Sequence, residues 1–146
     1  MITIGIDPGK TGGVAFLTPL HSVPIVHKMP ATVHELVTLL VENWEENEMR
    51  GRCFVEDVHA MPSQGVTSMF TFGRGLGNIE GILAALQIPI EWVTPQKWQK
   101  AMGCMSNGDK NVTKRRAHEL WPTEVKALTH ATSDAALICA YGARQP

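Results

Sequence analysis

The residues ITIGIDPGKTGGVAFL occupy positions 2–17 and decide the fold of the chain. Two apolar runs, 2–6 and 12–17, are separated by a tight turn at Pro8 and Gly9, which is typical of paired antiparallel strands. A third apolar run at 23–29 follows after a short connection and favours a meander of three antiparallel strands. The chain therefore opens with one part of a sheet, and a carboxylate, Asp7, follows its first strand.

Beyond residue 30 the pattern changes to alternating helices and strands. Apolar residues recur at the helical period from Thr32 to Trp44, and Thr32 is suited to cap that helix. Further strands are predicted at 52–56 and 88–93, and further helices at 68–86, 95–102, 112–120 and 133–141. The stretch 102–110, rich in Gly, Ser and Asn, is expected to be a mobile loop. These elements predict one α/β domain over residues 1–146, with a five-stranded mixed sheet flanked by helices.

The composition limits the class of protein. A chain of 146 residues with 44% hydrophobic residues is long enough to bury a proper core. It contains no run of about 18 uncharged apolar residues, so we expect no transmembrane helix. The first residues lack the pattern of a signal peptide, and the three cysteines form no CxxC pair, which argues against a zinc site or a disulfide framework. We therefore expect a cytoplasmic protein.

The positive charge is concentrated in the last third of the chain. Residues 1–90 contain five basic and nine acidic side chains, whereas residues 91–146 contain eight and five. Within 97–116 there is one acid, Asp109, among six bases. Such a stretch can bind a polyanion such as DNA, although a solvated helix face has the same composition. The six bases are Lys97, Lys100, Lys110, Lys114, Arg115 and Arg116.

Three acids stand where they can act together. Asp7 and Glu56 end two strands, and Asp134 lies near the start of the last helix, where Ala135 and Ala136 let that helix lie close to the sheet. A turn aspartate, a strand-end acid and an acid at a helix N-terminus are the ordinary alternatives. Strand ends of α/β sheets nevertheless gather ligands, and carboxylates hold hard cations such as Mg²⁺. Two such ions, about 3.5–4 Å apart, suit phosphodiester hydrolysis: one lowers the pKa of an attacking water and the other stabilises the leaving oxygen.

Three segments of the chain resemble the RuvC-like family of Holliday junction resolvases. They are GIDPG at 5–9, Glu56 at the end of the fourth strand, and SDAA at 133–136. Their order and spacing cover almost the whole chain, and residues 61–73 are similar to the small bacteriophage-type members. The resemblance implies an RNase H-like fold, a homodimer and metal-dependent paired nicking of four-way junctions and other branched DNA. It also implies Mg²⁺ as cofactor, with Mn²⁺ as a substitute, and a host-cytoplasm location for a phage-encoded protein.

The resemblance assigns the three acids as catalytic metal ligands and raises two further questions. A fourth ligand is expected three residues before the last acid, where this chain has Ala131. His130 is the candidate substitute, as a ligand for a softer ion or as a base, provided that the last helix begins by Thr129. A functional lysine is expected before the penultimate helix, and Lys110 matches that position best, with Lys114 as the competitor.

Members of the family insert an aromatic side chain, placed after the second acid, into the junction. Here that place is taken by His59, with Met61 nearby, and both are candidate DNA contacts. Phe70 and Phe72 are expected in the core.

Glycines recur every four residues in the predicted helix 68–86. Gly73, Gly77 and Gly81 form a smooth stripe on one face of that helix. The stripe fits self-association of two copies, and it equally fits packing of the helix against the chain's own sheet.

Other classes of protein share parts of this sequence pattern. GIDPGKT has three residues between its glycines, whereas a P-loop requires four, so we expect no nucleotide cofactor. ATPases with an RNase H-like layout need two such domains to enclose a nucleotide. A non-catalytic DNA-binding module and an RNase H-like nuclease of broader specificity, including a ribonuclease, stay open.

Overall fold

The computed structural model describes residues 1–59 and 62–146 as alternating strands and helices. The first part has three strands and one helix, and strands and helices then alternate before the last three helices. The elements are β1 (Ile2–Asp7), β2 (Gly13–Leu17), β3 (Ile25–Lys28), α1 (Val33–Glu46), β4 (Gly51–Glu56), α2 (Val66–Ala85), β5 (Ile90–Val93), α3 (Pro95–Met102), α4 (Lys110–Leu120), a 3-10 turn (Pro122–Glu124) and α5 (Ser133–Ala143).

The five strands form one mixed sheet in the order β3-β2-β1-β4-β5. β1 pairs antiparallel with β2, which pairs antiparallel with β3, while β1–β4 and β4–β5 are parallel pairs. The predicted fold class and the antiparallel first three strands are confirmed. Because Ile6 of β1 lies beside Val55 of β4 in a parallel register, both strands end at the same edge of the sheet.

The start of α1 agrees with its prediction, whereas α4 and α2 each begin two residues earlier than predicted. The α1 prediction is confirmed: the Thr32 hydroxyl accepts from the Glu35 amide, and the Glu35 carboxylate accepts from the Thr32 amide. α4 begins at Lys110, two residues before the predicted start, because the Asp109 carboxylate accepts from the Asn111 amide and caps the helix. α2 begins at Val66, also two residues early, without a side-chain cap.

The sheet separates two apolar layers. On one face, strand residues such as Ile4 and Val55 pack with Leu40 of α1 and Leu83 of α2. On the other face, Phe54, Trp98 of α3 and Leu137 of α5 belong to a second cluster. The alternation of side chains along each strand therefore assigns α1 and α2 to one face and α3 to α5 to the other.

α5 lies directly on β1, and ten of its eleven residues are buried. The close approach depends on Gly5, because a Cβ built there would meet the Cys139 amide nitrogen and lie 2.5 Å from the Ala135 carbonyl oxygen. Gly142 is equally confined, against the Phe54 ring. The tight packing predicted from Ala135 and Ala136 is confirmed. It also requires a residue without a side chain on the strand, which is Gly5.

Cys53, Cys104 and Cys139 are buried and free. Among the residues described, no helix combines the length and the apolar character that crossing a membrane requires.

Gly5→Ala is expected to destabilise the protein by roughly 3 kcal/mol, because the added methyl group meets backbone atoms that cannot move aside alone. Gly75→Ala in α2 is the matched control. A Cβ at Gly75 meets nothing within 4 Å, so this change is expected to stabilise the helix by about 0.5–1 kcal/mol. Urea unfolding of both variants measures the effects, and equal stabilities would contradict the packing role of Gly5.

Candidate active site

Three carboxylates meet at the edge where β1 and β4 end. Asp7 is the last residue of β1 and Glu56 the last of β4, while Asp134 lies in the first turn of α5. Their residues are only 5%, 8% and 7% exposed. The parallel register of the two strands and the close packing of α5 on Gly5 bring the three together, as the sequence predicted. We call these three acids the carboxylate cluster.

Lys110 lies against this cluster. Its Nζ atom is 3.2 Å from Asp7 Oδ2 and 3.3 Å from Asp134 Oδ2, and its side chain is about half exposed (47%). The capped start of α4 at Asp109 presents this lysine to the strand ends. In the described part of the chain, no such ion pair joins Lys114 to the cluster, so the geometry favours Lys110 over its competitor.

The cluster carries more negative charge than Lys110 neutralises. Burial raises the pKa of Asp7 to about 6; the Lys110 ammonium opposes this rise and Asp134 adds to it. Burial and the neighbouring Asp7 raise the pKa of Glu56 to about 7. Burial alone would lower the pKa of Lys110, but the carboxylates of Asp7 and Asp134 outweigh it and the pKa is raised. The site is therefore built to attract a further cation.

A buried tryptophan fixes Glu56. Trp98 belongs to α3 and is completely buried. Its indole Nε1 donates to Glu56 Oε1 at 2.9 Å. This hydrogen bond stabilises the ionised carboxylate and opposes the rise of its pKa. Sequence reasoning missed Trp98, because an aromatic residue in the short polar helix PQKWQKAM predicts only a core anchor.

The carboxylate cluster has the donor chemistry of a divalent metal site. Asp134 Oδ1 is buried and has no hydrogen-bond partner among the residues described, an arrangement that native structures rarely leave uncompensated. Within 1–59 and 62–146, no set of three or more His, Cys, Asp and Glu side chains is placed so as to hold a metal ion as it stands. The Lys110 ammonium lies between two of the acids instead. Oxygen donors, negative charge and the unpartnered atom fit a hard cation, once the flexible Lys110 side chain moves.

His130 lies away from the position that its metal-ligand hypothesis required. α5 begins at Ser133, not by Thr129, so His130 and Asp134 do not lie one helical turn apart. The exposed His130 ring instead makes a 2.9 Å hydrogen bond from Nε2 to Asn111 Oδ1, at the start of α4. A ligand role for His130 stays a prediction without this geometric support.

The candidates for junction opening differ in their surroundings. His59 is exposed, and its Nε2 is 3.6 Å from Asp57 Oδ2. Met61 lies outside the described residues. The prediction that Phe70 lies in the core is wrong: it is 71% exposed, because α2 buries only Ile79 and Leu83.

The predicted DNA-binding bases are not all available. Lys97, Lys100 and Arg115 are exposed, whereas Lys114 and Arg116 are half-buried. Arg116 is engaged within the protein: its Nε donates to the Met102 carbonyl at 2.8 Å, and its Nη1 to Glu119 at 3.1 Å.

A cleft of about 330 Å³ extends from the carboxylate cluster along α3 and the loop before α4. We call it the lateral cleft. Glu56, Lys110 and Asp134 line its inner end. The rest of its wall consists of uncharged residues, among them Val58, Pro95, Gln96, Gln99, Met105 and Asn107.

The glycine stripe on α2 faces open space. A Cβ added at Gly73, Gly77 or Gly81 meets nothing within 4 Å, so the stripe does not pack on the chain's own sheet. Gly77 and Gly81 instead line an apolar groove of about 340 Å³ between α1 and α2, together with Val33 and Val37.

The fold and the carboxylate cluster define an α/β domain of the RNase H-like type. Two solved structures are similar over nearly their full lengths. One is described as "T. thermophilus RuvC in complex with Holliday junction substrate", with 17% sequence identity, a TM-score of 0.61 and coverage of 99% of this chain and 95% of that one. The other is the "Thermus thermophilus RuvC structure", with 16% identity, a TM-score of 0.60 and coverage of 99% and 96%.

These two likenesses show that the chain has the RuvC fold. No protein-family model and no curated protein sequence matches the chain.

Glu56→Gln is expected to stabilise the protein at about pH 8 and to leave its stability nearly unchanged at about pH 4. The pKa of Glu56 is raised from 4.5 to about 7, so below its ordinary value the carboxyl is protonated in both the folded and the unfolded chain. As pH rises through this interval the unfolded chain ionises first, and the wild-type protein loses stability. A shift of this size corresponds to a loss on the order of 3 kcal/mol.

Urea unfolding at several pH values measures this difference. Glu42→Gln removes an exposed carboxylate of α1 and is expected to leave the pH profile as in the wild type. A Glu56→Gln profile parallel to that of the wild type would contradict the account of the buried charge.

Proposed function

We propose that the protein is a divalent-metal-dependent, structure-selective endonuclease that resolves four-way DNA junctions and related branched DNA by paired nicking. The observation that supports this proposal is the carboxylate cluster itself, three buried acids at the strand edge of a RuvC fold. Asp134 Oδ1 is buried in it without a hydrogen-bond partner among the described residues. A solved structure with this fold is described as a complex with a Holliday junction substrate.

The three acids of the carboxylate cluster argue against a non-catalytic DNA-binding module. Burial raises the pKa of Asp7 to about 6 and that of Glu56 to about 7, so the folded protein holds both at a free-energy cost near neutral pH. Acids on the binding face would also repel DNA phosphates. Catalysis with a bound cation explains both features.

Asp7, Glu56 and Asp134 are the residues that would hold Mg²⁺, with Mn²⁺ as a substitute, through carboxylate oxygens. When bound, divalent ions activate a water as the nucleophile and stabilise the leaving oxygen of the phosphodiester. Asp7, at the end of the central strand β1, is the least exposed of the three, at 5%. Glu56 Oε1 accepts the hydrogen bond from Trp98, which leaves Oε2 to coordinate the cation.

Lys110 has two roles in this proposal. Without a cation its ammonium offsets the charges of Asp7 and Asp134. When a cation and DNA are present, the half-exposed side chain is long enough to turn towards the scissile phosphate. Its contribution is then to hold the charge of that phosphate during cleavage.

Phosphates of the bound DNA are proposed to contact the exposed bases Lys97, Lys100 and Arg115. The half-buried Lys114 and Arg116 are proposed to add further contacts. Such contacts position the duplex and carry little base information. Junction binding is therefore expected to weaken with added salt. Phe70, exposed near the start of α2, joins His59 and Met61 as a candidate for insertion into the junction.

Paired nicking requires two active sites, and a homodimer with two-fold symmetry supplies them. The open glycine stripe and the adjoining apolar groove of α2 are the surface that we propose for self-association.

Asp7→Asn, Glu56→Gln and Asp134→Asn are each expected to lower the single-turnover cleavage rate of a four-way junction by at least about a hundredfold, because each removes a charged oxygen donor while keeping shape. Junction affinity is expected to change little. A second readout is independent of cleavage: Mg²⁺ should raise the melting temperature of the wild-type protein but not that of the three variants.

Lys110→Ala belongs in the same assay, with Lys126→Ala as an exposed control on the loop before α5. Lys110→Ala is expected to reduce cleavage far more than binding, whereas the control should affect neither strongly. Substantial cleavage by any of the three carboxylate variants would break the catalytic assignment. Equal losses of binding and cleavage in Lys110→Ala would reduce Lys110 to an ordinary phosphate contact.

Gly77→Leu is expected to leave the fold intact and to weaken the dimer by at least about tenfold, because the new side chain fills space that is open in one chain and needed by its partner. Gly75→Leu is the matched control: its Cβ also meets nothing within 4 Å, but it lies off the stripe. Sedimentation at micromolar concentration measures both. A wild-type monomer with full junction cleavage would refute the proposed interface.

A further inference from the structure

The lateral cleft differs chemically from the carboxylate cluster at which it begins. Among the residues that the structure describes, the charged ones that line it are Glu56, Lys110 and Asp134, all at the inner end. The outer wall offers Val58, Pro95 and Met105 as apolar surface, and the side-chain amides of Gln96, Gln99 and Asn107 as polar groups. An anion would find no positive partner along this wall, so the outer cleft fits an uncharged ligand with hydrogen-bonding edges.

Gln99 is held in a defined orientation. Its Oε1 atom accepts two hydrogen bonds from Ser106, from the backbone amide at 3.0 Å and from the hydroxyl at 3.1 Å. In the part of the chain that the structure describes, the Nε2 atom of Gln99 has no hydrogen-bond partner. Both N–H groups are therefore left for a ligand in the cleft, and the side chain need not reorganise to use them.

A turn at residues 106–108 forms another part of the cleft wall. The Gly108 amide donates to the Ser106 hydroxyl at 3.3 Å, and Asn107 and Gly108 both adopt positive φ, 51° and 91°. Asn107 is exposed and lines the cleft. Met105, which is 49% exposed, adds an apolar surface beside it. The loop predicted to be mobile is thus tied to α3 through Gln99.

We propose that the lateral cleft binds a nucleobase of the DNA strand adjacent to the scissile phosphate, and that its amide side chains select which base is accepted. The inference rests on the proposed nuclease function. Because the cleft is continuous with the carboxylate cluster, a phosphodiester held there places a neighbouring base at its mouth. Apolar side chains cover base faces in single-stranded DNA sites, and amide side chains pair with base edges. A volume of about 330 Å³ lies at the lower end of small-ligand pockets, roughly 300–1,000 Å³.

The first test detects the base directly, without cleavage. Four-way junctions carry the fluorescent base 2-aminopurine at single positions on either side of the nick, and they are mixed with the Asp7→Asn protein. At one of these positions the fluorescence is expected to rise by at least about twofold, because a base that leaves the stack loses quenching by its neighbours. Adding Gln96→Ala and Asn107→Gly should remove most of this rise while junction affinity changes by less than about fivefold.

The second test measures base selection by active protein. Junctions with each of the four bases, or an abasic site, at that position are cleaved under single-turnover conditions. The wild type is expected to prefer one base roughly tenfold over the worst, as one side-chain pairing typically achieves. Asn107→Gly should reduce this preference to less than about threefold. Gln87→Gly is the matched control, since Gln87 is also an exposed amide residue with positive φ (55°), in the turn before β5 and outside the cleft.

The outcomes separate the inference from the proposed function. Equal cleavage of abasic and base-bearing junctions by the wild type would overturn the base-binding role and leave the nuclease intact. So would 2-aminopurine fluorescence that is unchanged at every position in a tight complex, or a base preference unaltered in Asn107→Gly. A wild-type protein that neither binds nor cuts junctions would overturn both.

Discussion

The contact of α5 with β1 at Gly5 is the constraint on which the rest of the molecule depends. A side chain at Gly5 would meet the backbone of α5 at Ala135 and Cys139, so the helix can rest on the central strand only because that position is bare. The same contact fixes the position of Asp134 relative to the ends of β1 and β4, because Asp134 lies in the first turn of α5. Core packing and site geometry are therefore one property of this fold, since a displacement of α5 moves an acid of the site by the same distance.

The carboxylate cluster works against the stability that this packing provides. Asp7 and Glu56 are buried with raised pKa values, and the single ammonium of Lys110 offsets only part of the repulsion. Apolar residues of similar size would relieve this cost. Places where a chain departs from its own folding rules are most often functional, and here the departure consists of oxygen donors at one sheet edge. A bound divalent cation would remove the repulsion that the apo protein tolerates.

Much of this arrangement was predictable, because apolar runs define strands and Asp7 and Glu56 end two of them. Three features were not. Trp98 meets Glu56 only through the packing of α3, which no local pattern reveals. Phe70 is a large apolar residue of a type that is usually buried, yet it lies on the face of α2 that is turned to solvent. The start of α4 is set by a single cap at Asp109.

The separation of charges is compatible with the proposed binding of DNA by a chain with a net charge of −1. When its four groups are all ionised, the carboxylate cluster with Lys110 contributes −2, which leaves +1 for the rest of the chain. The three acids are buried, so their field at the surface is weaker than that of exposed acids, while Lys97, Lys100 and Arg115 stand in solvent. A divalent cation bound to the cluster would cancel its negative charge at the point where a phosphate has to enter. In the proposed function, cation binding and productive DNA binding would therefore be coupled by electrostatics, without a change of fold. The uncharged wall of the lateral cleft stays outside this coupling, so the proposed discrimination among bases need not vary with the charge state of the acids beside it.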